Sequence, residues 1–148
     1  MANKYNNKQI LFEGINFKSL LEKRTYEILK EAGFRPLYEP SAYSLLKPFS
    51  LGESVKLYKP SGKEKTLSLY KRSIQGITYT PDFVFEYKGH LVFFDTKGKV
   101  NDTYPLKLKA FLSLQVKTSK LPVLFFEPHS LRQVKQTVEI LKNLPYHK

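Results

Sequence analysis

Cysteine and tryptophan are absent from this chain, methionine occurs once, and no apolar run approaches the ~20 residues needed to cross a bilayer as a helix. Without thiols there can be no disulfide, thiolate zinc site or cysteine nucleophile, and a reducing compartment is the matching environment. The opening MANKYNNKQ lacks the apolar centre of a signal peptide. A soluble, cytoplasmic protein with no membrane partner is expected. Glycine-rich phosphate loops, a nucleophile elbow and zinc-ligand spacings are also missing, and the three histidines (His90, His129, His147) are too scattered to share a metal. Kinases, serine-type hydrolases and zinc enzymes are therefore excluded, and no small-molecule cofactor is expected.

Acidic residues are scarce. Thirteen Asp and Glu stand against 25 Lys and Arg in 148 residues, a formal charge of +12. Such a balance makes a polyanion the default partner, nucleic acid first. The excess is clustered: seven Lys/Arg lie between Lys47 and Arg72 against Glu53 and Glu64, and five lysines between Lys99 and Lys120 against Asp102 alone. Lys71 and Arg72 in the first cluster, and Lys99, Lys107 and Lys109 in the second, are the candidate phosphate contacts.

What is abundant is aromatic: 11 Phe and 10 Tyr, within a 41% hydrophobic composition. That suffices for one core, and no repeat or Gly/Ser linker divides the chain. Residues 1–16 are expected to be a loose tail and 17–148 a single domain. Apolar residues at three- and four-residue steps predict a helix over 17–32, with Gly33 at its C-terminus. An extended piece over 35–39 follows, then a loop region broken by Pro40 and Pro48. Runs at 54–58 and 65–70 flank KPSGKE as a hairpin. A second hairpin joins 81–87 to 90–98 through Lys88 and Gly89. A helix over 105–117 starts on Pro105 and has Leu106, Leu108, Phe111, Leu112 and Leu114 nearly filling one side. A buried strand at 121–127 and a helix capped by Ser130, ending before Pro145, complete an α/β domain with helices packed on a mixed central sheet.

The second hairpin carries chemistry. Asp82 opens one strand and Asp95 comes thirteen residues later near the end of its partner, so the antiparallel return brings both carboxylates to one end of the sheet. Lys97 follows two residues on, on the same side as Asp95, with Thr96 pointing oppositely. Adjacent carboxylates repel unless a cation lies between them, and a hard divalent ion with oxygen ligands, Mg²⁺ or Mn²⁺, is the natural occupant. An ammonium beside such an ion can hold the attacking water in phosphodiester hydrolysis. A bare Asp-x-Lys is a common surface pair. Here it ends the apolar run HLVFF and precedes Gly98, and an aspartate there without a cation would be costly to desolvate.

T-P-D-F at Thr80 to Phe83 followed by D-T-K-G at Asp95 to Gly98 resembles the signature of the PD-(D/E)XK nuclease superfamily. The resemblance implies a restriction-endonuclease-like core of order α-β-β-β-α-β-α, and a glutamate on the first helix as a further metal ligand. Glu22 is the better candidate than Glu27. Glu27 sits among Lys23 and Glu31 on a charged stripe, whereas Glu22 borders the buried face through Tyr26 and Leu29. Within the superfamily the chain is similar to the small bacteriophage endonuclease I enzymes, which resolve Holliday junctions. That likeness runs through F-K-S-L-L-E, A-G-F, Y-E at Tyr38 and Glu39, Y-T-P-D-F and D-T-K-G, and more loosely to Phe126. It implies a role for Glu39 in the site, a metal set of Asp82, Asp95, the Thr96 carbonyl and Glu22, and Lys97 as the water-orienting residue. It further implies a homodimer acting on branched DNA, in a host's cytoplasm if a phage encodes it. The chain departs from these enzymes in a longer stretch between Glu39 and Tyr79, in Asp95 where they have glutamate, and in lacking their basic tail. Two other readings keep the fold: a nuclease subunit of a larger DNA-processing or transposition complex, and an inactive basic DNA-binding module.

Overall fold

The computed structural model describes residues 9–98 and 100–148. Strands β1 (Ile10–Phe12) and β2 (Ile15–Phe17) form a hairpin, with Glu13 and Gly14 both at positive φ in the turn. This corrects the loose tail expected through residue 16; residues 1–8 of that tail lie outside the described residues. The cause is legible afterwards: Phe12 and Ile15 pack against the core and Phe17 is fully buried in it, so the segment has apolar surface to hide. Helix α1 (Leu20–Glu31) follows, its N-cap Ser19 accepting from the Glu22 N–H at 3.1 Å.

Next come β3 (Leu37–Tyr38), β4 (Tyr43–Leu46), β5 (Tyr58–Ser61), β6 (Thr66–Leu69) and β7 (Ile77–Tyr79). β4 and β7, in stretches read from sequence as loop and flank, pair with each other across the intervening residues, and a Phe49–Ile74 bridge prolongs their ladder. Gly76 permits the close approach there, since a Cβ on it would fall 2.5 Å from the Leu46 carbonyl oxygen. β5 and β6 form the first expected hairpin, but Lys59, Pro60 and Ser61 belong to the strand rather than to the turn. Pro60 is tolerated because the ribbon is open to solvent, where a missing N–H leaves nothing unpaired.

Strands β8 (Phe83–Tyr87) and β9 (His90–Phe94) make the second expected hairpin, turning at Lys88 and Gly89, both at positive φ. Helix α2 (Tyr104–Thr118), β10 (Val123–Phe126) and helix α3 (Leu131–Lys142) end the fold. The central sheet has the order β10-β9-β8-β3, with β10 parallel to β9 and the other pairs antiparallel. The architecture is thus mixed α/β, as expected, with the extended piece at 35–39 present as the short β3 and the β1–β2 and β4–β7 pairs added to the expected order. β10 is a half-buried edge strand and not a fully buried one, because only β9 flanks it.

Alternation along β8 and β9 divides the core. Phe83, Phe85, Val92 and Phe94 face α1 and α3 with Phe17, Tyr26, Leu29 and Leu141. Val84 and Phe93 face the other way, toward Tyr79, Tyr104 and Phe111. On α2 the side that packs is Tyr104, Phe111 and Gln115 with Leu108 beside them; of the expected apolar side Leu106 and Leu112 are exposed, Leu106 at 71%. With apolar residues almost all round this helix, periodicity alone could not choose its inner face. Among the described residues no helix is long and apolar enough to cross a membrane.

Candidate active site

The β8–β9 register pairs Phe83 with Phe94, so the next residues outward, Asp82 and Asp95, stand directly across from each other where the hairpin opens. Pro81 is fully buried and sets the entry to β8. Past Phe94 the chain keeps its parallel pairing to the other side, Asp95 N–H donating to the Phe126 carbonyl and Lys97 N–H to that of Pro128, each at 3.0 Å. The Thr96 N–H has no strand partner, and the Asp82 side chain supplies one: its Oδ2 accepts from Thr96 N at 2.7 Å and Thr96 Oγ1 at 2.8 Å.

Asp95 is almost completely buried. Its Oδ2 accepts from the Tyr79 hydroxyl, and Lys97 Nζ lies 2.6 Å from its Oδ1. The same ammonium sits 4.0 Å from the centre of the Tyr104 ring, a cation–π contact that holds it above the carboxylate. Glu22 reaches the same opening from the first turn of α1 and is 9% exposed. Its Oε2 accepts from the Tyr38 hydroxyl at 2.5 Å and the Lys18 N–H at 3.3 Å. Glu39, at φ +42°, pairs through Oε1 with Lys18 Nζ at 2.5 Å, and its N–H donates to the Asp82 carbonyl. These residues line one open cleft of about 500 Å³, whose far wall is the first turn of α2 with Asn101, Tyr104 and Lys107.

The electrostatics are those of crowded acids. Burial, then the nearby charges of Asp95 and Glu22, push the Asp82 carboxyl up to about 7, against the pull of its Thr96 hydrogen bonds. Burial likewise raises Asp95, although Lys97 and Tyr79 oppose it. Burial and the adjacent carboxylates push the Tyr38 and Tyr79 phenols upward, which keeps both protonated as donors. Lys18 is raised by its hydrogen bond to Glu39, with Glu22 and Asp82 adding attraction.

The expected quintet of Glu22, Glu39, Asp82, Asp95 and Lys97 therefore meets in one place, together with Thr96, whose N–H and hydroxyl hold Asp82. Lys107 is on the cleft wall, whereas Lys109 is exposed and not among the lining residues. Lys71 and Arg72 lie elsewhere, around a hollow beside the β5–β6 ribbon. They are exposed and basic as expected but do not flank the carboxylates, because the longer stretch between β4 and β7 carries them off. Lys99 lies outside the described residues. Sequence reasoning overlooked Lys18, which precedes the N-cap and so stands at the helix mouth beside Glu22. It also overlooked Glu127, whose Oε2 is 2.8 Å from His129 Nε2 and whose carboxyl is lowered on balance. Burial raises Glu127, but His129, Tyr104 and Lys97 outweigh it.

A hard divalent ion suits the donor chemistry: carboxylate oxygens, no imidazole and no thiolate. Asp95 Oδ1 is buried and accepts no hydrogen bond in good geometry, and only the Lys97 ammonium neutralises it. Among the described residues no three acids or histidines already stand close enough together to grip an ion. Asp82, Asp95 and Glu22 are the residues that would hold one.

Fold and cleft together define a mixed α/β protein with an acid–lysine centre at the open end of its sheet. The chain belongs to the family described as protein of unknown function (DUF1064), whose model matches residues 2–137. Neither the curated proteins nor the solved structures contain a match.

Proposed function

We propose that this protein is a Mg²⁺- or Mn²⁺-dependent DNA endonuclease of the PD-(D/E)XK type. The observation that carries the reading is the facing of Asp82 and Asp95 across the hairpin mouth with the Lys97 ammonium 2.6 Å from Asp95, in a cleft shared with Glu22. Asp82 and Asp95, with the Thr96 carbonyl, hold the ion, and Glu22 supports it or a second one. Bound there, the ion neutralises charge on the attacked phosphate and lowers the pKa of water. Lys97, steadied by Tyr104, orients the attacking water. Tyr79 and Tyr38 hold one oxygen each of Asp95 and Glu22, which fixes the two carboxylates in place. Lys18 and Lys107 attract the phosphate from either side, and the opening turn of α2 adds its positive end. Glu39 keeps Lys18 in place.

The same reading includes a homodimer that nicks branched DNA in pairs. The test is incubation of supercoiled plasmid and of a four-way junction with Mg²⁺ or Mn²⁺, beside Lys97→Ala. Cleavage lost in the variant supports the assignment; absence of cleavage under either metal, or equal cleavage by both proteins, defeats it. Sedimentation that finds only a monomer on the junction removes the paired-nick part alone.

A further inference from the structure

The β5–β6 ribbon pairs with no other strand among the described residues, and every residue from 58 to 69 is exposed. Its two faces differ. Tyr58, Pro60, Leu67 and Leu69 share one face by register. On the other, the Ser61 and Ser68 hydroxyls bond at 2.5 Å and Lys59 Nζ lies 5.1 Å over the Tyr70 ring. Lys63 and Lys65 occupy the turn, and Lys56, Lys71 and Arg72, together with Glu53, line a hollow of about 620 Å³ at the base. Between residues 53 and 72 six basic side chains stand against two acids, Glu53 and Glu64.

A two-stranded ribbon is marginal alone, and an exposed apolar strip on it invites wrong pairing unless a partner covers it. Charge selects a polyanion as that partner. Shape narrows it further, since a two-stranded ribbon fits the major groove of B-form DNA, about 12 Å wide, where apolar side chains meet thymine methyl groups. A-form RNA has a major groove too narrow to enter, and a single strand has no groove.

We propose that this ribbon is an arm that lies in the major groove of duplex DNA, its lysines on the phosphates and its Leu67 face on the base edges. The inference rests on the nuclease reading in taking DNA as the substrate of the cleft, and it adds that the substrate is double-stranded under the arm. Residues 70–78 run from the arm to Tyr79 in the cleft by way of the Phe49–Ile74 bridge and β7, so arm and cleft lie on one continuous segment.

The test is fluorescence anisotropy with the full chain and no divalent ion, on one sequence as duplex DNA, duplex RNA and single-stranded DNA. The duplex DNA should bind most tightly. Lys59→Ala/Lys63→Ala/Lys65→Ala should weaken it about ten- to hundredfold and reduce the slope of log K against log salt by roughly 2 to 3. Leu67→Ser should weaken it with the slope unchanged. Unaltered affinity in both variants, or equal binding of RNA duplex or single strand, overturns the proposal. So does sedimentation in which Leu67→Ser splits a dimer while DNA affinity holds, for then a second copy covers the strip. Plasmid cleavage reads the cleft separately: variant-sensitive binding without cleavage keeps the arm and removes the nuclease, and cleavage with variant-insensitive binding removes the arm alone.

Discussion

Lys97 extends its ammonium to within 2.6 Å of the buried Asp95 Oδ1 while resting on the face of Tyr104. One lysine thus neutralises the buried carboxylate and is itself held in place by an aromatic face. Lys97→Ala leaves Asp95 without its cation and should destabilise the metal-free protein by about 3 kcal/mol, the scale for breaking a buried pair. Urea denaturation measures this. Added Mn²⁺ should restore more stability in the variant than in the parent, because no ammonium competes for Asp95.

Tyr79→Phe removes the hydroxyl that donates to Asp95 Oδ2. A buried carboxylate losing one donor should cost about 1 to 3 kcal/mol at neutral pH. The loss should shrink in acid, where Asp95 takes a proton and needs the donor less. Thermal melts at pH 5 and pH 8 compare the two.

The sign of the pH dependence follows from the acids themselves. Asp82 is raised to about 7 in the fold from an unfolded value near 3.8, so between those values the native state holds the extra proton. Stability of the metal-free protein should therefore be full below pH 4 as far as this group is concerned. It should be lost as pH climbs to 7, at a slope of at most about 1.4 kcal/mol per unit for one proton. Asp95 shifts in the same direction. Asp82→Asn should flatten the profile, and excess Mg²⁺ should do so in the unsubstituted protein. A stability that rises from pH 5 to 8 without metal would contradict the crowding of these acids.

Glu39 occupies the left-handed region at φ +42°, where a side chain costs about 1 to 2 kcal/mol. Glu39→Gly should relieve that strain and raise the melting temperature while releasing Lys18, so nuclease activity should fall as stability rises. A variant that is both less stable and fully active would refute the role given to the Glu39–Lys18 pair.

Much of the site was readable because it is local. Asp82, Asp95 and Lys97 belong to one hairpin whose Lys88–Gly89 turn fixes the register; a glutamate on the first helix was implied by the family resemblance, and helical spacing then chose Glu22 over Glu27. What escaped was long-range or short. The β4–β7 pairing joins brief runs far apart in sequence, and nothing in YSLL or ITY names its partner. The β1–β2 hairpin was hidden in a polar opening segment, where three apolar side chains decide the matter. The inner face of α2 depended on what stood opposite it. Lys18 and Glu127 came into view only when the helix mouth and the end of β10 met the hairpin.

The placement of Tyr79 has a mechanical corollary. It is the last rung of the β4–β7 ladder and at the same time the donor that steadies Asp95. Loss of the β4–β7 pairing should therefore be felt at Asp95, through the phenol that both share.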